Sequence, residues 1–344
     1  MGACSCLLIL ATVSLAQNST PPVTPPTNSQ TPDTSQTKPD ASKDDQSDDF
    51  VFKKEVEEVV LHAIVVDGQN HLVTGLDRNN FAVFEDGKLQ EVTSFRKERV
   101  PVALGILIDN SGSMLPKRTK VNEAALQLVS ASQPEDRVFV VNFGEDAFLD
   151  QDYTPDVVKL TAALQRVETR GSTALYDAVI GAVDHLNRTS PVEKKVLLVV
   201  TDGRDNASQA TFQDVLRKLQ AKNGPVLYSI ALEQAPERPE RPEKNQPRDN
   251  GYRQALSTLS EQTGGTAFFP SSLDQVQSIA STIARDIRSQ YVIGYRSSNP
   301  HTPGLYHAIQ VQAVDGSTQL RVATRAGYYS GNAGGLEPKT NQSP

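Results

Sequence analysis

The chain has 344 residues, with 41 acidic against 34 basic side chains and a net charge of −7. A chain without a basic excess lacks the electrostatic footprint of a nucleic-acid binder, and this length accommodates one large domain or two modest ones. Both cysteines, Cys4 and Cys6, lie in the first 16 residues, so the rest of the chain has no disulfide support, no thiol catalysis and no cysteine zinc site.

Residues 1–16 are expected to be a signal peptide. Cys6 to Ala16 is an unbroken, weakly apolar run, and Ser14-Leu15-Ala16 before Gln17 resembles a small-residue cleavage site. The run is too short to span a bilayer. It departs from the usual pattern in having no Lys or Arg before it. Residues 17–50 follow as a Ser/Thr/Pro-rich linker. Val23 is nearly the only apolar side chain between Asn18 and Asp49, too little burial to offset chain entropy, so disorder is expected.

Residues 51–100 have β-grammar. Glu58 to Val66 is β-branched and apolar. Phe81 to Phe84 leads into Asp86-Gly87, a strong hairpin signal, with Leu89 to Phe95 as the return strand. From Pro101 to Ser289 the pattern changes. Val102 to Ile108, Val138 to Phe143, Val196 to Val200 and Val226 to Leu232 are continuous apolar runs of the kind buried in parallel sheets. Between them lie helical periodicities: Val121, Ala124, Ala125, Leu128 and Val129; Val157, Leu160, Leu164 and Val167; Leu175 to Leu186; Phe212 to Leu219. Leu256 and Leu259 mark a further helix, Thr266 to Phe269 a short strand, and Leu273 to Ile287 a last helix. The alternation predicts an α/β fold, a doubly wound and mostly parallel sheet with helices on both faces. Residues 290–330 return to alternating strands, with a turn at Asp315-Gly316, and 331–344 form a loose tail. Each β-rich flank is too small to stand alone. The two are therefore expected to pack together as a small β-sandwich-like domain with the α/β domain inserted between them.

Three loops carry the chemistry. Asp109-Asn110-Ser111-Gly112-Ser113 follows the strand ending at Ile108. Gly171-Ser172-Thr173 precedes a helix. Thr201-Asp202-Gly203 follows the strand ending at Val200. Open parallel sheets bind ligands at the carboxyl ends of strands, at the switch point of strand order. Hydroxyls from Ser111, Ser113 and Thr173, with the carboxylates of Asp109 and Asp202, make an all-oxygen shell suited to a hard cation. Two aspartates would neutralise a dication while leaving its coordination open to an incoming carboxylate. A helix-cap role competes for the Ser and Asp residues, and also for Ser172 and Thr173. Asn110, Gly112 and Asp205 are expected to support the site, Asp205 and Asn206 by shaping their loop. The five histidines (His62, His71, His185, His301, His307) are scattered, with no zinc-protease pattern, P-loop or dinucleotide fingerprint nearby. The charged, Pro-rich stretch Glu233 to Asn250 is expected to be a solvated loop.

The three loops DNSGSM, GSTALYDA and TDG, in that order, resemble the von Willebrand factor A family and its metal-ion-dependent adhesion site, over about Pro101 to Ser289. The flanking stretches VVDGQNHLVTGLDRNNFAVFEDGKLQEVTSF, QYVIGYRSS and RAGYYS resemble the related exported proteins of Acidobacteria. The resemblance implies a magnesium ion at Asp109, Ser111, Ser113, Thr173 and Asp202, with Mn²⁺ or Ca²⁺ as alternatives. It also implies a protein partner that offers an acidic side chain to that ion. The function expected is a non-enzymatic, cation-dependent adhesion module at the periplasm, the cell surface or outside the cell, and the lack of cysteines after the leader fits a bacterial source. Two alternatives are a metal-assisted hydrolase and an exported structural protein whose metal only stabilises the fold. No general base with a suggestive spacing accompanies Asp109.

Overall fold

The computed structural model describes residues 58–97, 100–166, 171–232, 251–299 and 302–331. The expected signal peptide, linker, charged 233–250 loop, His301 and terminal tail from 332 lie outside the described residues. Four strands come first: β1 (Glu58–Val66), β2 (Phe81–Glu85), β3 (Lys88–Gln90) and β4 (Val92–Arg96). The central region runs β5 (Val102–Asp109), α1 (Arg118–Ser130), β6 (Arg137–Phe143), β7 (Ala147–Thr154), α2 (Val157–Leu164) and α3 (Leu175–Thr189). It continues with β8 (Lys194–Thr201), α4 (Phe212–Leu219), β9 (Val226–Ala231), α5 (Gly251–Gln262), β10 (Ala267–Phe268) and α6 (Gln275–Arg288). Four further strands are β11 (Tyr291–Arg296), β12 (Tyr306–Asp315), β13 (Thr318–Ala323) and β14 (Gly327–Tyr329).

The central sheet has the order β10-β9-β8-β5-β6-β7. All its pairings are parallel except that of β6 with β7. Alternate residues of β5 feed opposite faces, as the period of two requires. Leu104, Ile106 and Ile108 pack with α1, α2 and α6, whereas Ala103 and Leu107 pack with α3, α4 and α5. The expected doubly wound arrangement is present. The edge strand β7 is an addition that the sequence pattern did not show. Its residues AFLDQDYT are mostly exposed or half-buried, so it carries neither an apolar run nor a clean alternation.

The flanks meet through strand pairing. β1 pairs with β11 and β13, and β2 pairs with β12, all antiparallel. Together they form one eight-stranded sheet around a shared core that includes Leu61, Val65, Val83, Tyr291, Ile293 and Tyr328. The return strand expected at 89–95 is split in two. β3 completes the hairpin with β2, while β4 turns away to pair with β11. Asp86 and Gly87 both have positive φ, at 50° and 78°, the conformation that a tight two-residue hairpin demands.

The eight-stranded sheet is fastened to the amino-end side of the central sheet by the segment between β13 and β14. Arg325, 8% exposed, donates to the carbonyls of Ala221 (2.7 Å), Lys222 (2.5 Å) and Gly327 (3.2 Å). The Ala326 amide reaches the Gln262 carbonyl at 3.1 Å and the Tyr329 amide the Gln220 carbonyl at 2.9 Å. Gly264 has φ +86°, and a Cβ there would lie 2.7 Å from the Thr324 backbone, so only glycine permits this approach.

Candidate functional site

The central strand order explains where the site forms. From β5 the chain builds outward through β6 and β7, then returns to add β8, β9 and β10 on the other side. The order therefore reverses between β5 and β8, and loops leaving those two strands diverge around a crevice. Ile108 pairs with Val200, which sets Asp109 beside Thr201. The Thr201 hydroxyl donates to Asp109 Oδ2 at 2.6 Å, and the Ser111 amide donates to Asp109 Oδ1 at 2.7 Å. Asp109 is fully buried. Burial pushes its carboxyl up, bonds from Thr201 and Ser111 oppose this, and the nearby Asp202 adds to the rise, leaving it above the ordinary carboxylate range.

The hydroxyls converge. Ser111 Oγ lies 3.2 Å from Ser113 Oγ, and Ser113 Oγ donates to Asp202 Oδ1 at 2.7 Å. Four of the five expected ligands are thus linked by hydrogen bonds, with Ser113 as the exposed member. Thr173, 3% exposed, arrives on the neighbouring loop. The Ala174 amide binds the Gly144 carbonyl and the Asn110 amide binds the Phe143 carbonyl, both at 2.6 Å. Successive carbonyls at the end of β6 therefore hold the Asn110 and Thr173 loops side by side. The Asn206 side chain accepts from the Thr173 amide at 2.7 Å, and Asp205 accepts from the Tyr176 amide at 3.3 Å and from the Ser208 hydroxyl. Both residues shape the loop. Gly112 opens the short 3-10 turn Gly112–Lys117.

The helix-cap readings are not met. Ser111 precedes that turn without a side-chain capping bond, and α3 is preceded by Ala174 rather than by Ser172 or Thr173.

One residue alters the expected charge tally. Lys117, 7% exposed, forms a direct ion pair with Asp202 Oδ2. The two aspartates are therefore not the whole charge of the site. Arg118, 3% exposed, donates to Asn142 Oδ1 and to the Leu164 carbonyl, both at 3.0 Å. Burial lowers its guanidinium to about 10, opposed by the charges of Asp109 and Asp150. Neither cation stood out in the sequence. Lys117 lies four residues past the motif's last serine and looks like a surface lysine, and only the fold turns it inward.

A second polar cluster lies in the eight-stranded sheet, where ligand atoms of Glu85, Asp86 and His307 fall within 4.8 Å of one another. The Glu85 carboxylate is already engaged by the hydroxyls of Tyr295, Tyr328 and Ser297 and by the Asn299 amide. Burial raises the Glu85 carboxyl, and the hydrogen bonds of Ser297, Tyr295 and Asn299 outweigh it and leave it below its usual range. The cluster ties β2, β11, β12 and β14 together. His185 stacks on Tyr153 and bonds Asp152 at 2.9 Å, His71 is exposed, and His62 lines a polar cleft of about 470 Å³ beneath the central sheet.

A mouse protein, calcium-activated chloride channel regulator 3A-1, is 26% identical over 173 residues, covering 48% of this chain and 17% of its own length. Among solved structures, an aerotolerance-related membrane protein from Bacteroides fragilis is 18% identical with a TM-score of 0.43, covering 54% of this chain and 98% of its own. A von Willebrand factor type A protein from Catenulispora acidiphila is 14% identical with a TM-score of 0.45, covering 80% of this chain and 75% of its own. Among the described residues, no helix is long and apolar enough to cross a membrane. The family model for the von Willebrand factor type A domain matches residues 104–204, which include Asp109, Ser111, Ser113, Thr173 and Asp202, and that part of the chain is a von Willebrand factor type A domain.

Proposed function

We propose that the chain is a non-enzymatic, divalent-cation-dependent protein-binding module acting outside the cytoplasm. The observation that carries this reading is the Ser113 hydroxyl, which joins Ser111 on one side to Asp202 on the other at the switch point of the sheet. The donor set fits a hard cation, being entirely oxygen and combining neutral hydroxyls with buried carboxylates. Ser111, Ser113 and Thr173 would hold the ion, with Asp109 and Asp202 supplying the balancing charge. Magnesium is the ion proposed, with manganese or calcium as alternatives. Bound there, it would act as an electrophilic contact for an acidic side chain of a protein partner.

Asp109 has its two oxygens committed to Thr201 and the Ser111 amide. It is placed to orient the loop and hold charge. The proposed organisation is a von Willebrand A-like domain over 101–289, set in a sandwich-like β frame made by 51–100 and 290–330, on an exported chain related to those of Acidobacteria.

The test is capture of cell-surface or exported protein on immobilised chain with Mg²⁺ and with EDTA, comparing wild type with Asp109→Ala. Capture should need Mg²⁺ and should vanish in the variant at unchanged circular dichroism. Capture that survives EDTA while the melting temperature drops would reduce the metal to a structural element. Hydrolytic turnover lost in Asp109→Ala would favour an enzyme instead.

A further inference from the structure

We infer that Lys117 is a built-in counter-cation that weakens metal binding to the free protein and thereby couples metal binding to the arrival of an acidic ligand. This inference rests on the cation-binding reading of the site. Lys117 and Asp202 are both buried, at 7% and 0% exposure, and their ion pair occupies Asp202 Oδ2. The other oxygen of the same carboxylate takes the Ser113 hydroxyl. Any cation held by Ser111 and Ser113 must share Asp202 with the ammonium group.

The charges then sum differently from those of a plain two-carboxylate site. Asp109 and Asp202 bring two negative charges, and Lys117 returns one positive. A dication added to this set leaves a net positive charge in a buried crevice. Arg118, buried on the same side and interacting electrostatically with Asp109, does not relieve it. Like charges brought together away from water repel strongly. An incoming carboxylate removes the excess, so metal and acidic ligand each favour the other's binding by the same factor.

Lys117 is held where it acts. The 3-10 turn Gly112–Lys117 carries it from the exposed Ser113 back under the loop, with Met114 fully buried as its anchor. The ammonium group is one turn from the hydroxyls that it opposes.

The experiment is calorimetric titration of the full chain with Mn²⁺, with and without acetate as the carboxylate probe. Wild type is compared with Lys117→Met, Lys117→Gln and Lys117→Arg, and each variant's fold is checked by circular dichroism. Lys117→Met and Lys117→Gln should bind Mn²⁺ at least tenfold more tightly than wild type in the absence of acetate. Lys117→Arg, which keeps the charge, should stay within about threefold of wild type. Acetate should tighten Mn²⁺ binding in wild type and do so less in Lys117→Met. Unchanged or weaker Mn²⁺ binding in both neutral variants would overturn the inference while leaving the metal site standing. An equal gain in Lys117→Arg would also overturn it, because charge would not be the cause. Absence of saturable Mn²⁺ binding in wild type and in every variant would overturn both the inference and the reading on which it rests.

Discussion

At the scale of single residues, the site depends on which polar groups are buried together. Asp109 and Asp202 are both fully buried, and each carboxylate oxygen has a named partner. Removing Ser113 would free Asp202 Oδ1, which now accepts its hydroxyl. We predict that Ser113→Ala weakens Mn²⁺ affinity by at least tenfold at little cost in fold, because Ser113 is exposed; equal affinity in a titration would count against the assignment. A second residue-scale prediction concerns Lys194, buried at the start of β8 with its ammonium donating to the Ile287 carbonyl. Burial, reinforced by Arg288 and opposed by Asp136, lowers its pKa to about 7. An unfolded lysine stays protonated up to about pH 10.4. Between pH 7 and 10 the unfolded chain therefore binds more protons, and stability rises with pH. Urea unfolding should show a gain of about 1–2 kcal/mol from pH 7 to pH 9, and Lys194→Met should flatten it. The candidate residues themselves were legible in the sequence because Asp109 and Asp202 each close a continuous apolar run. Lys117 was not, since only the three-dimensional turn distinguishes a buried lysine from a surface one.

At the scale of elements, apolar runs revealed the buried parallel strands, and the helical periodicities revealed the helices that cover them. Two features escaped. The edge strand β7 is too polar to stand out, because one of its sides faces solvent and its neighbour is antiparallel. The break between β3 and β4 at Glu91 lies within a single β-rich run, and local sequence has no signal for a change of partner strand. The joint between the two sheets has clear consequences. Arg325 satisfies three carbonyls from a buried position. Arg325→Ala should lower stability by about 3 kcal/mol through those stranded carbonyls, measured by urea unfolding. A loss under 1 kcal/mol would mean that the joint is held elsewhere. Gly264→Ala should have a comparable effect, since a Cβ would meet the Thr324 backbone and the residue sits at positive φ.

For the whole molecule, the eight-stranded sheet sits on the amino-end side of the central sheet, while the candidate site lies at the carboxyl end. Joining the flanks required pairing between residues more than 200 positions apart, such as Ala63 with Tyr291. The sequence suggested that association only because neither flank could fold alone. The proposed cation binding predicts that a ligand specific to the folded state stabilises all of it. A hundredfold excess of metal over its Kd should add about 2.7 kcal/mol. The most direct measurement is a Mn²⁺ titration of the full chain, followed by electron paramagnetic resonance, in wild type and Asp109→Ala. A single saturable site in wild type, lost in the variant with its circular dichroism unchanged, is the expected result. Saturable binding that persists in Asp109→Ala, or none in wild type, would contradict the account.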